Sequence, residues 1–194
     1  MKKMFLIMVA VMAALSVNAQ IVKNMKYPKG HFGIRAAYTS NSFTLDRGYD
    51  DGAFEGGAKS FVSGGLAADF KVASIPLYLE TGAYYINRGY KGVEVDYNWG
   101  DVYEGDYDNH SVMVPLLMSY HLYLTDNMAV QPFVGPYAEY GFDREEFSAG
   151  IRAGVGYNFG RLYVNVGYDF GFNIDDKKNN TFFATIGFNF AGSY

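Results

Sequence analysis

The stretch RLYVNVGYDFGF, Arg161 to Phe172, decides the fold. In an extended chain successive side chains point to opposite sides, so Leu162, Val164, Val166, Tyr168, Phe170 and Phe172 share one face. Tyr163, Asn165, Gly167, Asp169 and Gly171 share the other. The first face is unbroken apolar surface; the second mixes glycine with an amide and a carboxylate. TFFATIGFNF, Thr181 to Phe190, repeats the pattern, with Phe182, Ala184, Ile186, Phe188 and Phe190 on its apolar side. Phe147 to Phe159 repeats it again, Ala149, Ile151, Ala153, Val155 and Tyr157 alternating with Gly150, Arg152, Gly154 and Gly156. Three consecutive segments of period two define an all-β chain.

Working back from these, strands are predicted near 30–40, 58–72, 76–88, 110–122 and 129–142, making eight in all. In the fourth of these Val112, Val114, Leu116, Met118, Tyr120 and Leu122 form the apolar side. Pro115, Pro132 and Pro136 predict local bulges, because proline removes a ladder hydrogen bond. Short connections near 73–75, 123–128 and 160 tend to alternate with long ones at 41–57 and 89–109. That alternation fits an up-and-down meander whose long loops emerge at one end.

The N-terminus reads as an export leader. Lys2 and Lys3 precede an apolar run from Met4 to Val17, and small residues lead to a predicted cleavage between Ala19 and Gln20. The run is shorter than the roughly 20 residues a spanning helix needs. Residues 1–19 are thus read as signal peptide, 20–29 as a periplasmic segment and 30–194 as one domain. Losing Lys2 and Lys3 lowers the formal net charge by two, from −4 to −6. An acidic chain of this kind argues against nucleic acid as a partner. The absence of cysteine excludes disulfides, thiolate metal sites and a catalytic thiol.

An alternating strand suits either a water-soluble barrel with its apolar face inward or a transmembrane barrel with that face outward. The content of the polar face separates them. It carries Arg35, Asp69, Glu80, Glu139, Arg152 and Asp169 among many of the 23 glycines. Small residues and opposite charges fit the crowded interior of an eight-stranded barrel, whereas glycines on a soluble exterior would weaken strands without a packing reason. The expected fold is an eight-stranded antiparallel up-and-down transmembrane β-barrel. Arg152 and Asp169 meet across the turn at 160, and Asp69 faces Glu80 across the turn near 74, with Arg35 expected to reach between the two acids.

The stretch HSVMVPLLMSYHLYLTDNMAVQPFVGPYAEYGF, starting at His110, resembles the central hairpin of the porin-family outer-membrane β-barrels of Bacteroides-type bacteria, here a small eight-stranded barrel of the OmpA/OmpX kind. Val114-Pro115-Leu116-Leu117 and Pro132-Phe133-Val134-Gly135-Pro136-Tyr137 stand at that family's motif positions. The terminal strand resembles an insertion signal for the barrel-insertion machinery through Gly187, Phe188 and Phe190, although the chain runs on to Tyr194. The resemblance implies the outer membrane as location, reached by Sec-type export, and outer-membrane lipid as surroundings. It implies no cofactor.

The candidate catalytic histidines are His31, His110 and His121. His110 and Ser111 are adjacent and point to opposite faces, and His121 lies roughly 30 Å along the wall from Glu139 at ~3.3 Å per residue. No metal-ligand spacing connects the three, so the expectation is a protein without enzymatic activity. Val93 to Asn109 holds Glu94, Asp96, Asp101, Glu104, Asp106 and Asp108 with no Lys or Arg. This acidic loop is read as solvated, with an extracellular ligand or a divalent cation as the functional alternative. The expected function is structural or interaction-bearing, with a plugged charged lumen; a narrow or gated channel is the second reading, and a lipid-modifying enzyme the third.

Overall fold

A computed structural model describes residues 28–45, 54–72, 74–96, 101–143, 145–172 and 177–193. The leader, its cleavage site at Ala19 and Gln20, and most of the periplasmic segment lie outside these residues. The elements in chain order are β1 (Gly30–Leu45), β2 (Phe54–Lys71), β3 (Leu77–Asn87), β4 (Tyr90–Asp96), β5 (Asp101–Tyr107), β6 (His110–Tyr120), β7 (Leu122–Thr125), β8 (Met128–Gly141), β9 (Glu146–Phe159), β10 (Leu162–Gly171) and β11 (Lys177–Ser193). Each barrel strand pairs antiparallel with the next, in the order β1, β2, β3, β6, β8, β9, β10, β11, and β1 pairs with β11 to close the ring. Short β7 prolongs β6 along β8. The chain is therefore an eight-stranded antiparallel transmembrane β-barrel, and closure leaves the eight no free edge to satisfy in lipid.

The two predicted faces set inside and outside. On β10, Val164, Val166 and Phe170 stand half-exposed on the outer wall, while Tyr163 and Asp169 are buried in the lumen. On β6, β8 and β11 the outer wall likewise carries Val114, Leu116, Met118, Val134, Phe182, Ile186, Phe188 and Phe190. In water so continuous an apolar exterior would be a large unfavourable patch; in hydrocarbon it is the solvated surface. Short turns join β7 to β8 at Asp126–Asn127 and β9 to β10 at Gly160–Arg161. Gly160 has φ of 60°, a left-handed conformation that glycine takes without steric cost. Its amide donates to Asn127 O (2.7 Å), locking the two turns together at the same end.

Three expectations change. Residues 89–109 are not an open loop: β4 and β5 pair into a hairpin that leans on β2 at Gly57↔Lys91. The bulges expected at the prolines are absent. The β8–β9 register runs unbroken through Pro132 and Pro136. The β3–β6 ladder lapses at Val114 and Pro115, the β6–β8 ladder at Leu116 and Leu117 opposite Pro136 and Gly135, and both resume in the same register. Proline's missing donor is absorbed by leaving pairs unbonded, with no residue inserted. Leu122, expected to be exposed to lipid, is buried although Leu122↔Val130 continues the β6–β8 register; at the break before it His121 N donates to Pro76 O (2.9 Å) in the neighbouring turn.

Candidate functional site

The lumen is filled by a recurring cross-strand device. Gly65 stands opposite Tyr84, Gly150 opposite Tyr137, Gly154 opposite Phe133 and Gly167 opposite Phe183. A Cβ at Gly154 would lie 2.6 Å from the Phe133 ring, and one at Gly150 2.7 Å from Tyr137. Each glycine thus makes the recess into which a neighbouring ring turns, which is why the polar face of these strands is glycine-rich. Gly187 gives the same room to Arg35. Phe188 and Phe190, the other two residues read as an insertion signal, lie on the outer wall.

Among these rings sits a charged cluster. Arg152 Nε donates to Asp169 Oδ1 (2.7 Å) and Nη2 to Oδ2 (2.9 Å), a bidentate pair between directly opposed residues. Its guanidinium lies 4.2 Å over the Phe183 ring. Arg88, from the link between β3 and β4, projects into the lumen and donates to Glu139 Oε2 (2.9 Å) and to Asp169 Oδ2 (3.1 Å). Arg88 also hydrogen-bonds Thr181, and Ser111 Oγ donates to Glu139 Oε1 (2.6 Å). Two cations and two carboxylates balance, and Asp169 is fully buried. Sequence reasoning did not single out Arg88, although the predicted strand 76–88 ends on it and period two puts it on the same face as Glu80. A lone Arg bordering a strand and an acidic hairpin was the available signal.

Asp69 and Glu80 are paired in register, as the turn implies. Arg35 does not bridge them. His31 takes Asp69 instead, its backbone amide at 2.8 Å and Nδ1 at 2.9 Å from Oδ1. Arg35 donates to Asn189 Oδ1 (2.8 Å) and Ile34 O (3.1 Å) and stacks on Tyr163 at 4.4 Å. Its Nε has no hydrogen-bond partner, and Glu80 makes no hydrogen bond or ion pair with a described residue.

The histidines pair locally. His121 is held between Ser119 Oγ (3.2 Å) and Gln131 Nε2 (3.3 Å), with Tyr78 stacked at 3.8 Å. Ser119 and His121 are each 1% exposed, so this Ser–His contact has no surface at which a substrate could meet it. His110 Nδ1 meets Tyr85 OH at 2.6 Å on the rim. At the root of the hairpin, Lys59 Nζ (3.0 Å) and Asn87 Nδ2 (3.0 Å) donate to Asp108 Oδ1 and hold its carboxyl below the usual carboxylate range.

A closed barrel with an apolar exterior and a charge-sealed lumen defines the class: a small transmembrane β-barrel. No protein-family model matches the sequence, and no curated protein matches it. Among solved structures it is similar to the outer membrane protein OprG from Pseudomonas aeruginosa, with a TM-score of 0.56, 16% identity, and 86% of this chain and 99% of that one covered. It is also similar to outer membrane protein AlkL (TM-score 0.48, 13% identity, 87% and 94% covered) and to Ail, the attachment invasion locus protein of Yersinia pestis (0.41, 12%, 84% and 99%). At such identities the likeness to OprG is one of fold.

Proposed function

We propose that the chain is an integral outer-membrane barrel of the porin-like kind found in Bacteroides-type bacteria, exported by the Sec route and carrying no enzymatic activity. Its lumen is a structural plug and its interactions are made outside the membrane, where the acidic β4–β5 hairpin is the surface for an extracellular ligand or divalent cation. The observation that carries this reading is the Arg88–Glu139–Asp169–Arg152 cluster, stacked on Tyr137 and Phe183 across the bore. The VPLL and PFVGPY strands on β6 and β8 support the family, and the apolar exterior supports the lipid setting. A second reading, a gated channel, is favoured by one feature: Arg35 Nε has no hydrogen-bond partner below the plug, which fits water in that half of the lumen. Planar-bilayer recordings test the choice. The plugged barrel predicts no steady conductance; stable single-channel steps would establish the channel.

A further inference from the structure

One side of the barrel, the wall formed by β10, β11, β1 and β2, combines two features that fit one ligand. The first is an arc of cations at the end with the short turns. Arg161 lies in the β9–β10 turn, Lys29 directly precedes β1 and Lys71 ends β2. Backbone bonds fix their order around the rim: Asn189 N donates to Arg161 O (2.8 Å), and Lys71 N donates to Lys29 O (2.8 Å). Arg161 and Lys29 are exposed, and neither is in an ion pair with a described residue. Three strand spacings separate the ends of this arc, about 14 Å at ~4.8 Å each. The opposite arc has no Lys or Arg in its turns at 72–76 and 121–127, and it exposes Asp126.

The second feature is a shallow apolar furrow of about 460 Å³ on the same wall. Ala36 and Ala184 leave its floor low, and Val62, Val164, Val166 and Ile186 stand around it. Between arc and furrow the wall is aromatic, with Phe32, Phe70 and Phe190 half-exposed. Ala36 follows Lys29 by seven residues, about 23 Å along the strand at ~3.3 Å per residue. At a tilt of ~45° that is about 16 Å of depth, against a half-thickness of the hydrocarbon core of about 15 Å. The furrow therefore lies near the midplane, where the end of a lipid tail rests when its phosphate sits at the arc.

We propose that this wall binds an anionic phospholipid, its headgroup phosphate held by Lys29, Lys71 and Arg161 and one acyl chain running over the aromatic wall into the furrow. The proposal rests on the membrane reading above. It commits to a phospholipid of the periplasmic leaflet, since transmembrane barrels carry their short turns on the periplasmic side. A zwitterionic lipid compensates its own phosphate; an anionic one gains about 1 kcal/mol per cation it meets, about fivefold in occupancy when a tenfold change is 1.4 kcal/mol.

The test reconstitutes the full chain into vesicles of equimolar phosphatidylcholine and phosphatidylglycerol, re-extracts it gently and measures the retained lipid by native mass spectrometry. The expected result is enrichment of phosphatidylglycerol by about fivefold or more. Lys29→Gln/Lys71→Gln/Arg161→Gln abolishes the preference, and Ala184→Leu, which fills the furrow, lowers retention of both lipids. Insertion is scored separately by the faster migration of unheated protein on gels, so failure to insert counts against the membrane reading. An inserted barrel that retains the two lipids equally overturns the inference. So does a triple variant with unchanged preference, or a lipid-free dimer joined at this wall.

Discussion

Arg88 provides the sharpest test of the lumen because it serves two acids whose alternatives differ. In Arg88→Met, Asp169 keeps the bidentate Arg152, but Glu139 is left with the Ser111 hydroxyl as its remaining hydrogen-bond donor. The change strands one negative charge, and breaking a buried pair from one side typically costs about 3–5 kcal/mol. Glu139→Gln errs the other way. Its amide oxygen still accepts from Arg88 and Ser111, but the cluster acquires one surplus positive charge; a loss of about 1–3 kcal/mol is expected. The double variant restores neutrality, with Arg152–Asp169 untouched. It should therefore be more stable than the sum of the single losses by about 2 kcal/mol or more. Urea unfolding from zwitterionic vesicles, read by unheated-gel mobility and tyrosine fluorescence, gives the four stabilities. Additivity within about 0.5 kcal/mol would refute the sealed cluster and leave these side chains as the lining of a wet channel.

Other outcomes follow from the same geometry. Val166→Arg should cost about 2–4 kcal/mol of barrel stability, as for a cation on the lipid face near the midplane, whereas Asn165→Arg, facing the lumen beside Gly156, should cost less; equal costs in a folding assay would mean the faces are reversed. Gly167→Ala should destabilise by about 1–3 kcal/mol through overpacking against Phe183, and adding Phe183→Leu should recover part of the loss in the same titration. Lys59→Met should speed proteolytic cleavage within the β4–β5 hairpin while barrel mobility on gels stays unchanged. The Asp108 tie follows pH in a defined sense: its carboxyl is lowered in the fold, so the contribution is present above the unfolded value and is lost as pH falls through the lowered one, seen as faster hairpin hydrogen exchange in acid.

The barrel was legible in the sequence because lipid and lumen impose opposite chemistries on alternate residues. Val164 and Val166 against Asn165, Gly167 and Asp169 leave one arrangement that puts no carboxylate in hydrocarbon. Arg152–Asp169 was legible because a two-residue turn at Gly160 fixes which residues oppose. The rest was not, for identifiable reasons. Proline suggests a bulge where a ladder can instead lapse, and the choice depends on whether β3 and β8 hold register on either side of Pro115, a property of neighbours. The hairpin at β4 and β5 hid in a stretch whose acidic composition reads as solvated loop, although Val93 and Val95 alternate with Glu94 and Asp96. Arg35 was assigned to Asp69 and Glu80 by charge alone, while His31, nearer to Asp69 across the β1–β2 register, had the better geometry.

The glycine–aromatic pairing also explains where function can lie. An eight-stranded barrel has a bore that side chains fill, and here the recesses at Gly65, Gly150, Gly154, Gly167 and Gly187 are taken by a ring or a guanidinium from the neighbouring strand. Widening the bore would mean removing rings that the glycines were placed to receive, so the lumen has little freedom to diversify without loss of the fold. The external hairpin lies outside the bore, joined to the barrel at Gly57↔Lys91 and through the Lys59–Asp108 tie. Arg88 and Asn87 join the two regions, Asn87 bonding Asp108 outside while Arg88 seals the cluster inside. On the proposed function specificity lies in the hairpin, whose root is tied through Asn87 and Arg88 to the cluster in the lumen.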